Sequence, residues 1–195
     1  MSIATAIIDN PKKVIKPRLR LPRTAAEYLN FNPKNGFKYE WVKGKLLKST
    51  MIKPEHYYIV NNLMRFFVAT KAFIAGDSLM PEVKSLTTFN AYRVPDLAFF
   101  TLHQVRLMVE KKAQTPLFAI EIISEFDDLI KVEEKLEEYF EAGVGMVWHI
   151  IPELEKVYVY TAPDKNIICR GTALVSAEPI IEGFALAAKD IFKKP

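Results

Sequence analysis

The sequence predicts an α/β fold in which a mixed β-sheet is flanked by helices and followed by extra C-terminal β-strands. Residues 117–123 form an apolar, β-branched run that is typical of a buried strand. Residues 129–142 have the amphipathic pattern of a helix, and Met146–Ile151 is a second apolar strand. A helix that crosses between two strands indicates a mixed α/β architecture.

The length of the chain and its lack of a long linker predict a single domain of residues 24–195, preceded by an N-terminal arm of residues 1–23. A chain of 195 residues is long enough for a sizeable core, and neither an internal repeat nor a long linker divides it. The arm is rich in basic residues and prolines. Two interpretations of the arm stay open, a solvated lead-in segment and an arm that binds nucleic acid.

The composition excludes several classes of protein. Half of the residues are hydrophobic and 26% are charged, so the body of the chain is not disordered. A formal net charge of +4 is compatible with a polyanionic partner without identifying one. The single cysteine excludes a disulfide framework and favours a cytoplasmic location. No stretch approaches the length of a membrane span, so we expect no membrane partner.

Local patterns predict the elements before the buried strand. A capping box of Thr24 and Glu27 begins a short helix. Pro95 predicts an edge position or a bulge for the strand that contains it. The predicted elements are, in order, the helix over 24–30, a hairpin over 38–48 that turns at Lys43–Gly44, a long helix over 54–75, strands over 82–89 and 92–100, and a short helix with a loop over 103–114.

The elements after the buried strand are predicted in the same way. Gly143 is a suitable C-cap for the helix over 129–142. The apolar arc of that helix comprises Leu129, Val132, Leu136, Tyr139 and Phe140. Further strands are predicted over 156–161 and 166–170, and residues 173–192 are predicted to hold a strand, a proline–glycine turn and a short terminal helix.

Glu121 is the single carboxylate within the predicted buried strand. A buried carboxylate is costly unless it is paired, protonated, hydrogen-bonded or bound to a cation. A second acid, Asp96, lies in another apolar strand pattern, and Lys135 lies on the flank of the helix's apolar arc, within reach of the sheet. Two carboxylates on neighbouring strands repel each other unless positive charge lies between them, as a divalent cation and a lysine would provide.

Oxygen ligands of this kind suit Mg²⁺ or Mn²⁺, and such a site is equipped for phosphodiester hydrolysis. Structural interpretations stay open for each residue. Asp96 is equally consistent with a turn after Pro95, and Glu121 with an ion pair to a buried arginine. Lys135 is consistent with a solvated helix face, because it is surrounded by acids: Glu134, Glu137, Glu138 and Glu141.

Six short motifs occur in order over residues 24–192. They are Tyr39-Glu40-Trp41-Val42-x-Gly44, Pro54-x-His56, Arg93-Val94-Pro95-Asp96, Ala119-Ile120-Glu121-Ile122-Ile123-Ser124, Glu134-Lys135-x-x-x-Tyr139-x-x-Ala142-Gly143-Val144 and Val147-Trp148-x-Ile150-x-Pro152. As an ordered set they resemble a large bacterial family of restriction-endonuclease-like proteins, the Uma-two family, which belongs to the PD-(D/E)xK nuclease superfamily.

The resemblance implies a restriction-endonuclease-like core and an endonuclease that hydrolyses phosphodiester bonds in DNA with Mg²⁺ or Mn²⁺. It implies that Asp96, Glu121 and Lys135 are catalytic. It also implies that Asp96, Glu121 and the backbone carbonyl of Ile122 bind the metal. The superfamily's strand lysine would fall at Ile123, and in this family Lys135 is thought to take its place.

The resemblance assigns three further residues to the site. Glu40 matches a family acid, which either holds a second metal or is structural. Tyr139 and His56 are assigned supporting roles, although a packing role at a helix start is the favoured interpretation of His56.

The sequence departs from the family pattern around the expected site. Lysines replace acids at Lys43, Lys45 and Lys131, and Ser124-Glu125-Phe126 replaces Ser-Pro-Ser. The more basic rim is compatible with stronger phosphate binding or with a drifted, weakly active member. Two alternatives to an active nuclease follow, a non-cleaving nucleic-acid-binding scaffold and a homodimerisation module that pairs through residues 157–160.

Overall fold

The computed structural model describes residues 19–88 and 90–195. Its helices are α1 Ala25–Leu29, α2 Tyr57–Phe67, α3 Lys71–Ile74, α4 Leu102–Val109, α5 Leu129–Glu141 and α6 Ala188–Ile191. Its strands are β1 Phe37–Val42, β2 Lys45–Thr50, β3 Ser78–Pro81, β4 Ser85–Leu86, β5 Tyr92–Arg93, β6 Leu97–Phe100, β7 Phe118–Ile122, β8 Met146–Ile151, β9 Lys156–Ala162, β10 Lys165–Arg170, β11 Leu174–Ser176 and β12 Ala185–Ala187.

The main sheet has six strands in the order β10-β9-β8-β7-β6-β3. Its β7 and β8 are parallel and are joined by α5, whereas its other neighbouring strands are antiparallel. A four-stranded sheet has the order β2-β1-β5-β4, and β11 pairs with β12. These findings confirm the predicted α/β class, the mixed sheet, the helical crossover and the additional C-terminal strands.

Alternation along β7 separates the two faces of the main sheet. Phe118 and Ile120 point into the larger core, which includes Trp148 and residues of α2 and α6. Ala119 points to the opposite face, where it packs with Leu136 of α5. Because alternate residues share a face, Glu121 lies on the same side as α5.

The prediction of one continuous helix over 54–75 is wrong. A 3₁₀ turn at Pro54–His56 precedes α2, and Thr70 separates α2 from α3. The Thr70 hydroxyl donates to the Phe67 carbonyl and accepts from the Phe73 amide, so it competes with the helical hydrogen bonds. The expected apolar position Ile74 is 80% exposed.

The predicted strands on either side of residue 90 are also shorter than expected. The strand predicted over 82–89 is reduced to the two-residue β4 within the described residues 82–88, and Phe89 lies outside them. The segment around Pro95 is interrupted, so that β5 joins the four-stranded sheet and β6 joins the main sheet. Pro95 therefore marks a switch between sheets, and β6 itself is an interior strand.

The aromatic strand β9 does not have the edge position that the dimerisation hypothesis required. It lies between β8 and β10, and Val157 and Val159 are buried in the core. The predicted homodimer therefore loses the argument that supported it and stays a prediction. Most of the predicted arm, residues 1–18, lies outside the described residues, and the single-domain assignment also stays a prediction. None of the helices within residues 19–88 and 90–195 has the length and apolar character required to cross a bilayer.

Candidate active site

Glu121 forms its contacts with two side chains of α5. The Tyr139 hydroxyl donates to Glu121 Oε1 at 2.6 Å, and Lys135 Nζ lies 2.8 Å from the same oxygen. Lys135 and Tyr139 are four residues apart and therefore project from the same side of the helix. The Lys135 side chain is only 15% exposed, so the solvated-face interpretation is wrong for it. The partners of Glu121 are thus a lysine and a tyrosine rather than an arginine.

Asp96 lies next to Glu121 because of the register between β6 and β7. Leu97 pairs with Ile120, so extending the antiparallel register by one residue places Asp96 opposite Glu121. Asp96 Oδ2 accepts a 2.7 Å hydrogen bond from the Ile122 amide. The carboxylate therefore belongs to a buried site and not to a simple turn, as one interpretation of the sequence had it.

Lys38 is a site residue that the sequence-based assignment missed. It projects from β1, and its Nζ lies 2.6 Å from Asp96 Oδ1 in a buried ion pair. The four-stranded sheet therefore supplies a cation to an acid beside the main sheet. A signal for Lys38 existed, because it precedes the motif acid Glu40 by two residues and so shares its face of the strand.

A second buried ion-pair network adjoins the first through Glu40. Glu40 Oε2 accepts from Arg93 Nη1 at 3.0 Å, and Arg93 Nε donates to Glu138 Oε2 at 2.7 Å. Glu40 Oε1 accepts from the Val94 amide at 2.9 Å and lies 3.0 Å from Lys135 Nζ. Glu138 is buried, so its predicted place on a solvated helix face is also wrong.

Burial and neighbouring charges shift the pKa values of these groups in different directions. Burial would raise the pKa of Glu40, but Lys135, Arg93 and the Val94 amide lower it to about 2. Burial raises the pKa of Glu121, and the opposing charge of Lys135 does not fully offset this effect. Burial would lower the pKa of Lys135, but Glu121 and Glu40 hold it above its ordinary value. Glu40 and Lys135 are therefore charged at neutral pH.

His149 completes the buried cluster on the other side of Glu121. The parallel register of β7 and β8 pairs Glu121 with His149, and the imidazole packs 4.9 Å from the Tyr160 ring. Burial and the nearby charge of Lys135 lower the pKa of His149 to about 4, so the ring is neutral at pH 7. His149 was also missed, although a polar residue in an apolar strand is the signal that singled out Glu121.

A cavity of about 370 Å³ opens onto these groups. His56, one of the expected supporting residues, is buried at its wall. The cavity combines the site's acids with several lysines and one exposed aromatic ring. The lysine, arginine, aspartate, glutamate and phenylalanine residues among its lining are Lys38, Glu40, Lys48, Lys53, Arg93, Asp96, Glu121, Phe126, Asp127, Asp128, Lys131 and Lys135.

Side chains alone provide few ligands for a metal ion here. Within residues 19–88 and 90–195, no group of three or more His, Cys, Asp or Glu residues is arranged to hold one. The two carboxylates of Asp96 and Glu121 nevertheless fit Mg²⁺, which commonly binds one or two carboxylates and keeps several waters. The Ile122 amide faces Asp96, and its carbonyl lies on the same side of the strand, so it can add a third oxygen.

Comparisons with known proteins agree with this architecture. The Uma2 family model, described as "Putative restriction endonuclease", matches residues 25–189. A crystal structure described as "a putative nuclease belonging to DUF820" from Anabaena variabilis ATCC 29413 superposes with a TM-score of 0.71. It is 22% identical in sequence, and the match covers 88% of this chain and 98% of that one. No curated protein matches the chain.

Proposed function

Because the chain belongs to the Uma2 family, we propose that it is a divalent-metal-dependent endonuclease that hydrolyses phosphodiester bonds in DNA. The observation that carries the proposal is the convergence of Asp96, Glu121 and Lys135 at one cavity. Two acids from adjacent strand positions can bind a divalent ion, and a charged lysine beside them can offset negative charge on a phosphate, which are contributions that metal-assisted phosphodiester hydrolysis uses.

Asp96, Glu121 and the Ile122 carbonyl are the groups that would hold Mg²⁺ or Mn²⁺. When bound, the ion supplies Lewis-acid polarisation of the phosphate and lowers the pKa of water. Lys135 holds a permanent positive charge 2.8 Å from Glu121 and offsets negative charge that develops on the phosphate. Tyr139 orients the Glu121 carboxylate through its hydroxyl.

Glu40 has an anchoring role in this proposal rather than that of a ligand to a second metal. Both of its carboxylate oxygens are engaged, Oε1 by Lys135 and the Val94 amide and Oε2 by Arg93. Lys135 is consequently held between Glu40 and Glu121 at 3.0 and 2.8 Å. A lysine fixed in this way needs little reorganisation when the phosphate arrives.

The test is nicking of supercoiled plasmid with Mg²⁺ or Mn²⁺ by the wild type and by Glu121→Gln. Loss of a hydrogen-bonding partner behind a metal ligand commonly lowers metal affinity or activity 10–100-fold. Loss of the ligand itself should therefore lower the nicking rate at least about 100-fold. Glutamine is isosteric and keeps an oxygen for Tyr139, so the variant should fold. Glu182→Gln, which changes an exposed acid, is the matched control and should cleave like the wild type. Cleavage by Glu121→Gln at the wild-type rate would refute the assignment.

A second candidate function is binding of nucleic acid without cleavage. It is favoured by one specific observation, because Lys38 and the Ile122 amide already occupy both oxygens of Asp96. This candidate predicts no nicking by the wild type and salt-dependent retention of DNA that is unchanged in Glu121→Gln. Metal-dependent nicking by the wild type excludes it.

A further inference from the structure

The turn between β7 and α5 presents an aromatic ring at the mouth of the cavity. Both the amide and the hydroxyl of Ser124 donate to Asp127 Oδ2 at 2.8 Å, and Asp128 accepts from the Ile130 amide at 3.1 Å. These bonds fix the turn from within. Phe126, at its tip, is 79% exposed and nevertheless lines the cavity.

Lysines accompany the exposed ring around the cavity. Lys53 Nζ lies 4.8 Å from the centroid of the Phe126 ring, which is within cation–π range. Lys48 lines the same cavity and lies over the Phe37 ring at 3.4 Å. Lys53 and Lys48 therefore bring positive charge to the same opening at which Phe126 is exposed.

The acids of the turn offset this charge only in part. Asp127 accepts from Ser124, and Asp128 caps α5 and pairs with Lys131 at 3.3 Å. Their carboxylates are directed to groups of the turn and the helix. Lys48 and Lys53 contact aromatic rings instead, which leaves their charge available to phosphates.

We propose that Phe126 stacks on an unpaired base and that the enzyme acts on single-stranded or locally unpaired DNA. This inference rests on the proposed function and names its substrate class. Basic grooves that carry exposed aromatic rings bind single strands, because each base offers a face for stacking and the lysines follow the phosphates. In an intact duplex the base faces are stacked on one another and cannot contact the ring.

The experiment measures DNA affinity without cleavage. Fluorescence anisotropy in EDTA compares a labelled oligothymidine strand with a fully paired duplex of equal length, for the wild type, Phe126→Ala and Phe126→Trp. Phe126→Ala should raise the Kd for the single strand roughly ten-fold and leave the Kd for the duplex within about two-fold. Phe126→Trp should keep the wild-type affinity for the single strand.

The matched control is Phe73→Ala, which removes an exposed ring that does not line the cavity. It should change neither Kd by more than about two-fold. The inference is overturned if Phe126→Ala behaves like this control, or if it weakens duplex and single-strand binding equally. If the wild type nicks plasmid and Phe126→Ala gives either of these two results, the proposed function is retained and only the single-strand preference is rejected. A wild type that neither binds nor cuts DNA rejects both.

Discussion

The buried charge cluster has an arginine half and a lysine half, which differ in the geometry with which the cation holds its carboxylates. In the arginine half, Arg93 holds Glu40 at 3.0 Å and Glu138 at 2.7 Å. A planar guanidinium fixes two carboxylates in a defined geometry and keeps its proton at any ordinary pH. This half is therefore suited to join β1, β5 and α5 into a rigid support.

In the lysine half, each acid is paired with an ammonium group. Lys38 lies 2.6 Å from Asp96, and Lys135 lies 2.8 Å from Glu121. An ammonium group is a compact charge with three donors, so it can contact an arriving phosphate without the loss of a planar pair. Buried ion pairs in one cluster therefore need not share a role, since the cation determines how readily a pair can be exchanged.

Removal of the arginine should have the largest effect. Arg93→Met leaves Glu40 and Glu138 buried without their common cation, and breaking a buried pair in this way costs about 3–5 kcal/mol of unfolding free energy. Urea unfolding at pH 7 measures this loss. Arg170→Met, at an exposed position of β10, is the control and should stay within about 0.5 kcal/mol of the wild type. A loss below about 1 kcal/mol for Arg93→Met would remove the anchoring role of the arginine half.

Acid should weaken the buried cluster first at His149, which lies beside Glu121. The pKa of His149 is about 4 in the folded protein, against an ordinary value of 6.5 that applies to the unfolded chain. Below pH 6.5 the unfolded chain binds a proton that the folded protein does not, so stability falls as the pH drops from 6.5 to 4. At about 1.4 kcal/mol per pKa unit, this loss amounts to roughly 3 kcal/mol.

The measurement is the difference in unfolding free energy between the wild type and His149→Phe across that pH range. Phenylalanine keeps a ring against Tyr160 and removes the titration, so the variant should lose less stability toward pH 4. The raised pKa of Glu121 acts in the opposite direction, because its stabilising contribution is complete at low pH and is lost as the pH rises. His103→Asn, which changes an exposed histidine, is the control, and its unfolding free energy should fall with pH as steeply as that of the wild type. An equally steep fall in His149→Phe would contradict the prediction.

Glu40, which pairs with both Lys135 and Arg93, should respond only at lower pH. The pKa of Glu40 is about 2, below its ordinary value of 4.5. Its stabilising contribution is therefore complete above pH 4.5 and is lost as the pH falls toward 2. His149 and Glu40 are thus expected to titrate in successive pH windows of the same experiment.

The local part of the site could be predicted from the sequence because it depends on periodicity. The period of two along β7 places Glu121 toward α5, and the four-residue spacing of Lys135 and Tyr139 brings both side chains to it. The helical crossover follows from the order of the elements. None of these features requires knowledge of how distant segments pack.

The contacts that the sequence did not reveal are those between distant segments. Lys38 and Asp96 are 58 residues apart, and Arg93 and Glu138 are 45 apart. Both contacts depend on how the four-stranded sheet and α5 pack beside β6 and β7. For Glu138 the run of neighbouring glutamates was also misleading, because a glutamate among other glutamates on a helix is normally solvated. Charge patterns along one helix therefore do not identify the acid that a remote arginine buries.

The smallest predicted effect tests whether Lys38 is an exchangeable cation of the lysine half. It rests on the proposed metal site, because Lys38 repels a second cation and occupies Asp96 Oδ1 at 2.6 Å. Lys38→Met should therefore bind Mn²⁺ about ten-fold more tightly, which corresponds to about 1.4 kcal/mol of additional stabilisation at saturating metal. The measurement is the increase in Tm on addition of Mn²⁺, compared with that of the wild type. Lys71→Met removes a lysine from an exposed pair with Glu182 and should show the wild-type increase. If Mn²⁺ raises the Tm of Lys38→Met no more than that of this control, Lys38 is a fixed part of the support, as Arg93 is. The pair of Lys38 and Asp96 then does not belong to the lysine half.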